Sequence, residues 1–313
     1  MSQPSGGRIA LTAKAFLLAS GHYRRRLASE SFPGVAVLCY HAVRPDRLPA
    51  GRMVFEDLHV REAELEAHCA FFRSCCDPIS LDDWRQADAG GPPLPPRPVL
   101  VTFDDGYRST WTLARPILRR HRIPAVFFVP SHTIERRQLA WYDAVALKYG
   151  EARVAQMKEL DVDAWSAACA EATRPASDED PHAPLETDQI KALSDTPGFE
   201  IGGHTASHLL LARASLERQR HEVAENKARI ESWIGRTISS FAYPNGRLNI
   251  DYTRETMDIV RACGLGVAFA TNERFATRDE SPLDRSRFVM LSGLSAAELA
   301  HRLSYSWRRT ARA

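Results

Sequence analysis

The sequence predicts an α/β fold built on a mainly parallel sheet, and three observations carry that expectation. Short apolar runs of strand length alternate with segments of helical period, the pattern of successive βαβ units. Each apolar run closes on a polar turn. No period of roughly 20 to 50 residues repeats, which excludes a solenoid. The 313 residues suffice for one large domain or two small ones.

Taken in chain order, the first strand is expected at Val35–Tyr40 and runs into His41. Gly90–Pro98 (GGPPLPPRP) cannot be helix or central strand, because proline lacks the donor and fixes φ. It reads as a stiff lead-in to a strand at Val99–Phe103. A helix over Ser109–His121 leads to a strand at Ala125–Val129. Glu135–Pro184 is the least regular stretch, helical in composition early on and a polar, proline-containing loop over Arg174–Pro184. It is too short and too weakly apolar to fold alone, so it is taken as an insertion at about 135–184. Beyond it come a strand at Phe199–Gly202, a helix at Leu216–Ile234 and a strand at Ser239–Tyr243. A helix at Tyr252–Cys263 follows, stopped by Gly264, and then a strand at Gly266–Ala270.

Ahead of the first strand, Arg8–Ser20 has apolar residues interrupted by Lys14 and followed by Arg24-Arg25-Arg26. A cleavable signal would carry its charge before an unbroken apolar segment. The expectation is a loosely docked terminal helix, with weak peripheral contact to a membrane surface as the alternative. The chain thus divides into an N-terminal helical extension, 1–34, and a main domain, 35–313.

Composition narrows the classes of function. With 44% hydrophobic and 26% charged residues, the chain is an ordinary globular protein. The 41 basic and 39 acidic side chains leave a net charge of +2 and no electrostatic case for a nucleic-acid partner. Six cysteines at 39, 69, 75, 76, 169 and 263 form no CxxC pair, and the adjacent Cys75 and Cys76 are poor bridging partners. Reduced thiols are expected, suiting a reducing, cytoplasmic setting, and a cysteine zinc site is not. No apolar run approaches the roughly 20 residues of a transmembrane span.

Three constellations carry chemistry. In Thr102-Phe103-Asp104-Asp105-Gly106 an apolar strand runs into two adjacent carboxylates. Such acids are costly unless a cation or hydrogen-bond donors stabilise them. One can bind a metal while its neighbour faces substrate as a general base, the metal separating their proton affinities. The alternative is that either aspartate simply caps the helix beginning near Ser109. In His204-Thr205-Ala206-Ser207-His208 a spacing of four would put both imidazoles on one face of a helical turn, where two nitrogens meet one ion. In Phe241-Ala242-Tyr243-Pro244-Asn245-Gly246 a turn after a strand could present N–H groups to a developing oxyanion, or be an ordinary loop. All of these, with Tyr40-His41, stand at C-terminal ends of expected parallel strands, the edge where such sheets gather their sites.

Together the motifs TFDDG (102–106), HTASH (204–208) and FAYPNG (241–246), with LCYHAV at 38–43, resemble the polysaccharide deacetylase family, or NodB-homology domain, in its exopolysaccharide branch. The likeness runs from about Val35 to Val289. It implies a distorted, incomplete (β/α) barrel whose mouth holds a divalent metal ion, most often Zn2+. It implies Asp104 as general base and Asp105, His204 and His208 as metal ligands. Asn245 would supply an oxyanion N–H, with Tyr243 and Pro244 beside it at the substrate. The expected reaction is hydrolysis of an N-acyl, usually N-acetyl, amide on a saccharide or polysaccharide precursor. Many members carry arginine where Ala242 stands, supporting the base, and tyrosine where Asn245 stands. Arg285 or Arg287 is the candidate substitute for that arginine. The late Leu-His motif that usually supplies a general acid is missing around Phe288-Val289-Met290, leaving His41, or Asp104 returning its own proton. A catalytically degenerate carbohydrate-binding module that keeps the metal is the competing reading. A glycosidase would leave both histidines without a task.

Overall fold

A computed structural model describes residues 5–306, with side chains from residue 11 onward. Residues 1–4 of the expected extension and 307–313 of the expected main domain lie outside the described residues. Among the described residues ten strands follow one another: β1 Ala36–Tyr40, β2 Val43–Arg44, β3 Val60–Arg61, β4 Asp77–Pro78, β5 Pro98–Phe103, β6 Ala125–Val129, β7 Phe199–Gly203, β8 Ser240–Ala242, β9 Val267–Phe269 and β10 Phe288–Val289. Eight form one sheet in the order β10-β1-β5-β6-β7-β8-β9, with β4 paired to the start of β5, and β2 pairs separately with β3. Every paired strand runs parallel. The expected strands all form, each within a residue or two of its expected ends.

The sheet is an incomplete (β/α) barrel closed by a short segment instead of a full strand. At one end Arg285 bridges to Phe269 of β9, and at the other β10 pairs with β1 through Leu38–Phe288 and Cys39–Val289. Arg287 lies between these two attachments. Strands buried on both faces explain the near-continuous runs of valine and phenylalanine in β5 and β6. Alternate residues point inward. Val37, Leu100, Val126, Phe128, Ala242 and Phe269 pack inside the barrel with Trp84 of the helix Leu81–Asp88. The opposite residues, including Leu38, Val101, Phe127 and Ile201, pack beneath the surrounding helices. His41, Asp104 and His204 continue the inward parity of Val37, Leu100 and Gly202. Gly202 is required there, because a Cβ would sit 2.4 Å from the Phe128 ring.

Of the three expected helices, two change in detail. The segment over Ser109–His121 opens with a π-helical turn at Thr110–Ala114 before the α-helix Arg115–His121. Leu216–Ile234 forms as expected, capped by the Ser215 hydroxyl and stopped at Gly235 in the left-handed region. The helix expected from Tyr252 begins at Arg254, because the Thr253 side chain accepts from the Thr256 N–H and fixes the start. At the N-terminus, helices Ser5–Ala19 and His22–Ala28 place Leu17, Leu18, Tyr23 and Leu27 against the same core as the strands. Lys14 pairs with Glu298. The segment at about 135–184 holds helices Trp141–Tyr149, Glu151–Met157 and Val162–Ala172. Their apolar faces meet Tyr107 and Leu209 in a second core that stands over the barrel mouth. Among the described residues no helix is long and apolar enough to cross a membrane.

Candidate functional site

β5 ends on Phe103, and the chain then turns through Asp105 and Gly106, both in the left-handed region with φ of 72° and 66°. Aspartate tolerates that region better than most residues, and glycine occupies it freely. The turn points the two carboxylates in different directions. Both are almost wholly buried.

Asp105 faces the histidines. Its Oδ1 lies 3.3 Å from His204 Nε2 and 3.2 Å from His208 Nε2. One donor atom from each of the three residues falls within 4.8 Å of the others. Neighbouring ligands around a tetrahedral zinc with bonds of about 2.0–2.1 Å stand about 3.3–3.4 Å apart, so the spacing fits one small cation. The expected helical turn over 204–208 does not form. Thr205 and His208 are left-handed, at φ of 60° and 57°, and break any helix, so a looped backbone brings the rings together with centroids 4.8 Å apart.

Surrounding hydrogen bonds hold this loop. His204 Nδ1 bonds the Ala242 carbonyl at 2.7 Å, which turns its Nε2 toward Asp105. The His204 N–H donates to Asn226 Oδ1, while Asn226 Nδ2 donates to the Val129 carbonyl. The Glu222 carboxylate accepts from the N–H and the hydroxyl of Ser207, each at 2.8 Å. Trp141 Nε1 donates to the His208 carbonyl. Burial alone would raise the Asp105 carboxyl, but hydrogen bonds from the two imidazoles hold it well below the carboxylate range. Burial lowers His208, the direction that keeps a ligand imidazole neutral, whereas Asp105 outweighs burial at His204 and raises it.

Asp104 faces Arg287. The guanidinium donates from Nη1 to Oδ1 and from Nη2 to Oδ2, both at 2.7 Å, and its Nε donates to the Ala270 carbonyl at 2.9 Å. It is fully buried, lying over the Phe128 and Phe269 rings that also pack with Ala242. Burial would raise the Asp104 carboxyl, yet the charge and hydrogen bonds of Arg287, with His204 nearby, leave it below its ordinary value. Arg285 turns away to Asp88 and the Thr277 carbonyl. The Cys39 thiol donates to Asp104 Oδ2 at 3.4 Å, and burial pushes its pKa well up.

A cleft of about 690 Å³, partly open to solvent, lies over these groups. His41, Asp104, Asp105, His204, His208, Tyr243 and Asn245 line it. His41 Nδ1 has no hydrogen-bond partner. Tyr243 borders the cleft, but its side chain is buried in the helix-side core, its hydroxyl bonded to the Leu283 carbonyl and its ring stacked on Tyr252 at 3.7 Å. Pro244 stands outside the lining and shapes the turn that puts Asn245 at φ 59°. The cleft is also lined by His59, Tyr107, Trp141, Tyr142, Lys158 and Thr271, none of which the sequence motifs single out. His59 is buried in the wall, and burial drives its pKa down to about 3. The aromatic residue pair at the start of Trp141–Tyr149 was the one available signal.

Comparison with known proteins bears on the family and the fold. The family model described as polysaccharide deacetylase matches residues 91–268. A poly-beta-1,6-N-acetyl-D-glucosamine N-deacetylase of Escherichia coli (strain K12) is 35% identical over 104 residues, covering 32% of this chain and 15% of that protein. The putative polysaccharide deacetylase YxkH of Bacillus subtilis (strain 168) is 22% identical over 199 residues, 64% of this chain and 53% of its own length. This chain therefore spans about half or less of these curated relatives. Among solved structures, the Streptococcus pyogenes deacetylase PplD in complex with acetate aligns with a TM-score of 0.65 at 20% identity, over 86% of this chain and 98% of that one. IcaB from Ammonifex degensii aligns at 0.61 and 20% identity, over 88% and 98%. At these identities the likeness is one of fold.

Proposed function

The chain belongs to the polysaccharide deacetylase family, and on that premise we propose that it hydrolyses an N-acyl, usually N-acetyl, amide on a saccharide or polysaccharide precursor. One observation carries the reading: a buried cluster of Asp105, His204 and His208, sized for one cation, beside a second carboxylate held ionised by a buried arginine. Two imidazoles and a carboxylate suit a catalytic divalent ion with open positions, zinc above all. Bound there, the ion would polarise the acyl carbonyl and make water a better nucleophile at neutral pH.

The protein's own groups do the rest. Asp104, ionised and oriented by Arg287, accepts a proton from the attacking water as its oxygen bonds the acyl carbon. The Asn245 N–H, at the edge of the same cleft, would donate to the developing oxyanion. As the C–N bond breaks, the leaving nitrogen takes a proton from His41, which lines the same cleft. The products are acetate and a free amino sugar. Arg287 weighs against a degenerate binding module, because it supplies the support for the base that Ala242 cannot. The six cysteines, none in a disulfide, support a reducing cytoplasmic setting. Exposed Phe16 and Leu11 on the N-terminal helix support weak contact with a membrane surface.

Chelation followed by add-back of single divalent metals, with acetate release measured on N-acetylated oligosaccharides, tests the proposal. Release should vanish on chelation and return with metal. Sugar binding without release would favour the binding module, and chain cleavage indifferent to metal would sink both.

A further inference from the structure

The segment at about 135–184 delivers one cation to the cleft that the chemistry above does not use. Lys158 follows the helix Glu151–Met157, and its side chain lines the cleft beside Asn245, His204 and His208. Its hydrogen bond, to Asn245 Oδ1, is long at 3.4 Å. Among the described residues no carboxylate pairs with it. Asp251, the acid that most favours its charge, is already engaged by Arg247 through Nε at 2.9 Å, Nη2 at 3.2 Å and the backbone N–H at 2.9 Å. The other acceptors of the cleft are engaged too, Asp104 by Arg287 and Asp105 by the two histidines. Burial disfavours the ammonium charge and lowers its pKa.

The cleft's charges do not balance for a neutral sugar. Asp104 and Arg287 cancel. Asp105 offsets half of a divalent ion, and Lys158 adds a further positive charge. A half-buried ammonium facing a metal cation is repulsive unless the ligand brings negative charge between them. We propose that Lys158 forms an anion subsite beside the reacting centre, so that the substrate is an N-acylated sugar bearing a phosphate or carboxylate group. This rests on the deacetylase reading and narrows its substrate class. A charge-assisted hydrogen bond contributes about 1.5–3 kcal/mol, or about 10- to 100-fold in affinity.

The test is calorimetric binding to the metal-loaded full chain carrying Asp104→Asn and Arg287→Met together, which prevents turnover without stranding the Arg287 charge. The probes are N-acetylglucosamine, its 1-phosphate, and an N-acetylated disaccharide containing a uronate, the last two separating phosphate from carboxylate recognition. At least one anionic probe should bind about 10- to 100-fold tighter than the neutral sugar. Adding Lys158→Met should erase that preference while leaving the neutral affinity within about twofold, and Lys158→Arg should retain most of it. Equal affinity for all three probes overturns the proposal. So does a preference that survives Lys158→Met, which would belong to the metal, or a loss that is equal for charged and neutral probes. Anionic preference with no acetate release from any sugar in the unmutated protein would overturn the deacetylase reading and leave the subsite standing.

Discussion

Replacing Arg287 with methionine removes the partner of a buried charge while keeping much of the side-chain volume. The guanidinium is fully buried and makes two 2.7 Å bonds to a carboxylate that is itself almost wholly buried. Breaking such a pair from one side typically costs about 3–5 kcal/mol, because the remaining charge has neither water nor partner. A domain's whole stability is about 5–15 kcal/mol, so the loss is large. The pH dependence identifies its origin. With Arg287 present the folded pKa of Asp104 is lowered, so its stabilising contribution is present above the ordinary carboxylate value and fades as pH falls through the folded pKa. With methionine the Arg287 charge and hydrogen bonds are gone, burial raises the carboxyl against only the weaker pull of His204 and His41, and stability falls as pH climbs past the ordinary value. Urea unfolding of chelator-treated protein at pH 5 and pH 8 should therefore show the deficit widening toward pH 8. Adding Asp104→Asn to Arg287→Met should recover most of it, since no charge is then stranded. A deficit below about 1 kcal/mol, equal at both pH values, or unrelieved by the second change would refute the reasoning.

Two further expectations concern the surroundings of the site. Asn226→Leu removes the acceptor that holds the His204 N–H at 2.9 Å and the donor to Val129, and should weaken metal affinity about 10- to 100-fold, read by competition with a chromophoric chelator. Unchanged affinity in a folded variant would show that His204 needs no such support. Asp143, which accepts from the Tyr107 hydroxyl at 2.8 Å, is pushed up to about 7 by burial, with Asp105 and Asp180 adding to the effect and His182 and Tyr107 opposing it. Its folded pKa is raised, so its contribution is present at low pH and lost as pH rises from about 4 to about 7. Asp143→Asn should flatten thermal stability over that range and leave the variant about 2–4 kcal/mol more stable at pH 8, whereas an unchanged slope would count against a protonated Asp143.

Much of the framework was legible because it is local. The apolar runs at Ala125–Val129 and Val99–Phe103 are strands by composition, and Ser215 with Gly235 brackets the helix Leu216–Ile234. The parity of each strand also places His41, Asp104 and His204 on the inner side of one edge. What escaped depends on tertiary placement. The looped path of His204–His208 follows from two left-handed residues, Thr205 and His208, which a spacing of four cannot reveal. The pairing of Arg287 with Asp104 spans 183 residues and arises because the closing segment is attached to β9 on one side and β1 on the other. Sequence left Arg285 and Arg287 as equal substitutes, and barrel closure separates them. Lys158 reaches the cleft only because the insertion folds onto Tyr107 and Leu209 instead of lying apart.

The division of labour between the two adjacent aspartates is tested most directly by measuring bound metal and acetate release on the same preparations of Asp104→Asn and His204→Ala. Asp104→Asn is expected to keep its metal and lose turnover by at least about 100-fold, while His204→Ala loses both. Full deacetylation by Asp104→Asn, or undiminished metal binding by His204→Ala, would contradict the assignment of base and ligand.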